Sequence, residues 1–135
     1  MVLLLTLALA LDLASVRSEP KPEKRSEQAL EFADAALDTA RDAYQQGKWD
    51  ETQQALGKVQ EAVTLSYESL QETGKDPRDS SKYFKRAEKA TRQLLRRLAG
   101  LKQIMSSVDH HVLEPVVDNV TEVHDELLMG IMGAN

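Results

Sequence analysis

The run Phe84-Lys85-Arg86-Ala87-Glu88-Lys89-Ala90-Thr91-Arg92-Gln93-Leu94-Leu95-Arg96-Arg97-Leu98-Ala99-Gly100-Leu101 carries an apolar or small residue at every third or fourth position. Phe84, Ala87, Thr91, Leu94, Leu98, Leu101, Met105 and Val108 continue that alternation without a break. A seven-residue repeat of this length predicts a long helix with one seam packed against other helices, as in coiled coils and bundles. Leu98 stands at its middle and is expected to be buried, with Arg96 and Arg97 turned to water. The helix is predicted from Ser80 or Ser81 to about Met105.

Three further segments share the pattern. Leu30, Ala33, Leu37, Ala40 and Tyr44 line one face of a helix over Glu27 to Gln46, with Ser26 as its N-cap and Gly47 as its stop. Leu56, Val59, Val63, Ser66 and Leu70 do the same from Trp49 or Asp50 to Thr73, with Ala55, Ala62 and Leu65 alongside. Leu113, Val116, Val120, Val123 and Leu127 mark a last helix from Val112 to Met129, with Pro115 in its first turn, where a missing N–H costs nothing. No stretch alternates with a period of two. The expected fold is all-α, an antiparallel bundle of about four helices in which short loops make sequential helices neighbours.

Ahead of the bundle, Val2 to Leu11 is an apolar run. It is about half the length a membrane-spanning helix needs and suits the core of a secretory signal peptide. Small residues follow, with Val16-Arg17-Ser18 as the favoured cleavage site and Ala14 as its rival. No Lys or Arg precedes the run, and Asp12 ends it, two departures from the usual pattern. The expected organisation is a leader over 1–18, an extended Pro-containing linker over 19–25, the bundle over 26–130 and a flexible tail over 131–135. The expected location is periplasmic or secreted.

Composition narrows the chemistry. Among 135 residues there is no Cys, so disulfides, thiolate metal sites and a thiol nucleophile are excluded. Only 4% are aromatic, which leaves Leu, Val and Ala to build the core. The net charge of −5 opposes general nucleic-acid binding. That charge is unevenly placed. Lys75 to Lys102 holds ten bases against three acids, net +7. Ser26 to Thr73 holds ten acids against three bases, net −7, and Gln103 to Asn135 holds six acids and no base, net −6. A basic helix between acidic ones is expected to use its charges in pairing within the bundle.

The other polar clusters carry less. His110 and His111 are adjacent and diverge by about 100° on a helix. With His124 and the nearby Asp109, Glu114, Glu122 and Asp125, they form no motif with metal-ligand spacing. The acids Glu27, Glu31, Asp34, Asp38 and Asp42 spread along about 20 Å of helix and form a face, with no loop to enclose a cation. There is no Gly-rich phosphate loop and no nucleophile elbow. The expectation is therefore no catalytic, cofactor or metal residues and no enzyme.

Ala43-Tyr44-Gln45-Gln46-Gly47-Lys48-Trp49-Asp50-Glu51 resembles the turn of a tetratricopeptide repeat. In that family one helix ends in an aromatic, Gly follows, and an aromatic with an acidic pair opens the next helix. Ala40, Leu56 and Val59 also fall on packing positions of the family, so the resemblance spans residues 30–63 as a single copy. Thr39 and Thr52 depart from it. The resemblance implies a helical hairpin and an aptitude for protein contact. The function expected is that of an exported, non-catalytic helical protein acting through protein–protein contact, with self-association as one form. Alternatives are a bundle that binds a small ligand or metal, and a peripheral membrane-surface binder through the basic helix. Nucleic acid is not an expected partner. Membrane contact is expected only through an uncleaved leader or weakly through the surface.

Overall fold

A computed structural model describes residues 13–133, and among these the chain is all-helical with no strand. Four long helices are present: α1, Pro22–Gln45; α2, Trp49–Glu72; α3, Ser81–Ile104; and α4, Glu114–Met132. A 3-10 helix, Ser107–Val112, joins α3 to α4, and a helical turn over 13–17 precedes α1, so the helices outnumber the expected four. No helix among the described residues is long and apolar enough to cross a membrane. The run Val2 to Leu11 lies outside the described residues, as do 134–135.

The tightest pair is α1 with α2. The reason is a stripe of small residues on each. Ser26, Ala29, Ala33, Ala36, Ala40 and Ala43 are all buried on α1, and Thr52, Ala55, Val59, Ala62, Ser66 and Ser69 are buried on α2. Both stripes step by three and four residues, and small side chains let two helix backbones approach closely. The Ser26 and Ser66 hydroxyls share a buried hydrogen bond of 2.9 Å across this seam. Larger residues flank the stripes. Leu30 and Leu37 on α1, with Leu56, Val63 and Leu70 on α2, join Leu94, Leu98, Leu101, Val116, Val120 and Leu127 in one core.

The helices run in alternating directions, as two hairpins. Within the pair α3–α4, Glu88 meets His124. Between hairpins, α1 lies parallel to α3, with Glu27 on Arg86 and Asp34 on Arg97. Helix α2 lies parallel to α4, with the Asn119 amide on the Thr64 hydroxyl at 3.2 Å. Going round the bundle the order is α1, α2, α4, α3. The expectation that sequential helices are neighbours holds for the two hairpins and fails for α2 and α3, which lie across the bundle and touch far less than either hairpin pair. The loop between them crosses the end of the bundle. There Pro77 sits so close to Gly130 that a Cβ on the glycine would come within 3.1 Å of it.

Helix boundaries differ from expectation at both ends. Helix α1 starts at Pro22, in the first turn where proline is tolerated, so Ser26 lies inside the helix and is not its cap. Arg25, expected in a solvated linker, is only 8% exposed. Its guanidinium donates to the Ser69 hydroxyl and the Glu19 carbonyl, each at 2.8 Å, and pairs with Glu72. Val16 is buried against Ala29 and Leu65. At the other end α4 continues past Gly130 to Met132, and Ile131 packs on the core, so the expected flexible tail is helical that far. Gly133 closes α4 with φ +72°, the left-handed conformation a helix stop needs. Val108, expected on the seam of α3, is 75% exposed, because α3 has ended at Ile104.

Candidate interaction surface

The basic helix sorts its charges by the face they occupy. Arg86 and Arg97 lie on the edge turned toward α1. Arg86 pairs with Glu27, and Arg97 forks between Asp34 and Asp38 while donating to the Asp34 carbonyl at 3.2 Å. The acidic stripe of α1 is thus partly spent inside the molecule. The Arg97 side chain is 31% exposed, so the expectation that it stands free in water is corrected: it straps α3 to α1. Below these pairs an open groove of about 370 Å³ runs between α1 and α3, with Leu30, Ala90 and Leu94 in its lining and Glu31 and Gln93 beside them.

The outer face of α3 is different. Lys82, Lys85, Lys89, Arg92 and Arg96 are all exposed and follow the three–four spacing on the side opposite Leu94 and Leu98. They form a line about 21 Å long. Lys85, Lys89 and Arg96 make no ion pair among the described residues. Lys82 rests over the Tyr83 ring at 5.3 Å, and Arg92 reaches Glu88 in its own helix at 3.1 Å. Beside this line, α4 presents Glu114, Asp118 and Asp125, also exposed.

The three histidines serve the framework. His110 Nε2 lies 2.9 Å from the Lys102 carbonyl and 3.1 Å from that of Met105, and in its Nε2–H form donates to both, satisfying acceptors that the end of α3 leaves open. His111 Nδ1 lies 2.9 Å from the Val108 carbonyl. His124 bridges the hairpin, with Nε2 at 2.7 Å from Glu88 and Nδ1 at 3.3 Å from Asp125. Its two carboxylate neighbours sit on opposite ring nitrogens, so the three groups do not converge. Among the described residues no group of three or more His, Asp or Glu comes together in a way that could hold a metal ion.

The turn at Gly47 (φ +75°) stacks Tyr44 against Trp49 edge-on, with ring centroids 6.4 Å apart. The Tyr44 hydroxyl donates to Asp109 at 3.0 Å and accepts from the Ser106 N–H at 2.8 Å, fastening the first hairpin to the start of the 3-10 helix. Sequence reasoning missed this link, since nothing local to Tyr44 names a partner 62 positions away. Comparison with models of known protein families, with curated proteins and with solved structures finds no match for the chain.

Proposed function

We propose that the protein is an exported, non-catalytic helical domain that works through protein–protein contact. The observation that carries this reading is the uncompensated basic line on the outer face of α3. Like charges three or four residues apart on a helix cost about 0.2–0.5 kcal/mol per pair. Arg86 and Arg97 answer their charge inside the molecule, whereas Lys85, Lys89 and Arg96 leave theirs for another molecule. The hairpin α1–α2, with its repeat-like turn, serves here as the support that fixes α3 in place.

Export rests on the apolar run Val2 to Leu11 and the small residues after it. The packing of Val16 favours a cut before that residue over one after Ser18, which would uncover Ala29 and Leu65. A pull-down from the native envelope fraction tests the contact reading. The native chain should retain a protein that the variant Lys85→Glu, Lys89→Glu, Arg96→Glu does not. Equal recovery with both chains would contradict it. Binding of vesicles that depends on anionic lipid would instead support the peripheral-membrane reading, to which the same basic line also lends itself.

A further inference from the structure

We infer that the outer face of the α3–α4 hairpin is a self-complementary surface, and that its occupant is a second copy of this chain packed face to face about a twofold axis parallel to the helices. The inference rests on the protein-contact reading and names its partner. Three observations lead to it.

The first is charge. The hairpin carries a basic line, Lys82 to Arg96, on one helix and an acidic line, Glu114, Asp118 and Asp125, on the antiparallel helix beside it. A twofold axis between two such faces sets each α3 over the other copy's α4. Both contacts are then attractive, and one operation satisfies both.

The second is register. Glu88 and His124 fix the levels of the two helices. Counting outward from that pair, Lys89 stands level with Val123, Arg92 with Val120 and Arg96 with Val116. An axis parallel to the helices preserves height. Lys89 therefore meets Asp125 of the second copy, Arg92 meets Asp118, and Arg96 meets Glu114 and Asp118. At the lower end Lys82 and Lys85 come level with Leu128 and Met132. These are apolar residues left exposed on the same side of α4, Met132 by 71%. Lysine stems lie well on such residues while their ammonium groups stay in water.

The third is shape. The basic line is one helix wide and is flanked by acids of α1 on one side and of α4 on the other. A flat anionic bilayer or a duplex would meet those acids as well. A single acidic helix, about 10–12 Å across, fits between them. No apolar side chain on the outer face of α3 enters a bilayer, because the seam residues are committed to the core.

Two helices side by side offer roughly 700 Å² per copy, from a length near 36 Å. That is slightly under the usual size of a stable interface, so the dimer is weak and held chiefly by charge. Sedimentation equilibrium of the full chain tests it. The expected result is a doubled mass at low salt that falls to the monomer near about 1 M salt, where charges are screened beyond ~3 Å. Two variants, each checked for helicity by circular dichroism, sharpen the test. Lys85→Glu, Lys89→Glu, Arg96→Glu makes both lines acidic, and Glu114→Lys, Asp118→Lys, Asp125→Lys makes both basic. Each alone should dimerise at least about tenfold more weakly, and an equimolar mixture should recover the dimer mass. A monomer at all salt concentrations, a dimer indifferent to salt, or a mixture no heavier than its parts would overturn the inference. A monomeric chain that still retains a different protein in the pull-down overturns the twofold dimer and leaves the broader contact reading standing.

Discussion

Arg97 and Leu98 are neighbours in sequence and opposites in environment. Leu98 is fully buried, as the seam of α3 required. Leu98→Ala should cost about 2–5 kcal/mol in urea unfolding, through lost transfer energy and a residual cavity. Arg97 escapes a reading based on periodicity alone. Its position places it outside the seam but not outside the bundle, and only the location of α1 shows that Asp34 and Asp38 stand opposite. Arg97→Ala should cost about 1 kcal/mol at low salt and less at high salt, since the pair is partly exposed. A second residue-scale contact lies in the crossing loop. The Arg78 side chain and backbone N–H both donate to the Asp76 carboxylate, and hold its pKa below the usual value. A depressed carboxylate stabilises above its unfolded pKa and loses that contribution as pH falls through the folded one. Asp76→Asn should therefore speed hydrogen exchange at the Arg78 amide near neutral pH and bring it close to the native chain's rate in acid. An unchanged rate near neutral pH would show the clip to be unimportant.

At the scale of elements, four long helices follow directly from spacing, two of their stops from Gly47 and Gly74, and the start of α4 from Pro115. What spacing did not reveal is which of two apolar stripes on α1 meets α2. The sequence shows Leu30 and Leu37 more loudly than Ala29, Ala36 and Ala43, because hydrophobicity scales with size. Close packing instead brings the small stripe against α2 and turns the leucines toward the second hairpin. Ala36 has no exposed surface. Ala36→Leu should force the two helices apart and cost about 1–3 kcal/mol, measurable as a lowered urea midpoint. A neutral outcome would place the close seam elsewhere. The boundary of α1 was hidden for a related reason: two prolines among charges suggest a linker, but Pro22 opens a helix and Arg25 finds partners in α2 and in the Glu19 carbonyl. Under the proposed export, the packing of Val16 moves the cut ahead of that residue. Mass spectrometry of the protein from its native host should show an N-terminus that retains Val16, and one beginning at Glu19 would contradict the role assigned to that residue.

For the whole molecule, the order α1, α2, α4, α3 was the feature least visible in the sequence. Loop length favours neighbours, yet the eight residues between α2 and α3 suffice to cross the end of the bundle. The charge blocks gave the better clue: a helix of net positive charge gains most between two acidic ones, and α3 lies between α1 and α4. The candidate surface was half legible on the same ground. Pairing within the bundle was expected of the whole basic segment, while the structure divides it into a paired edge and an open outer line. That division is tested most directly by comparing the adjacent charge reversals Arg96→Glu and Arg97→Glu in urea unfolding at low salt, at a protein concentration too low for the proposed dimer to form. Arg96→Glu should leave stability within about 0.5 kcal/mol of the native chain. Arg97→Glu should cost more than about 1 kcal/mol, and adding Asp34→Lys and Asp38→Lys to it should restore most of that loss. Equal effects of the two reversals, or a loss that the added lysines do not recover, would contradict the account.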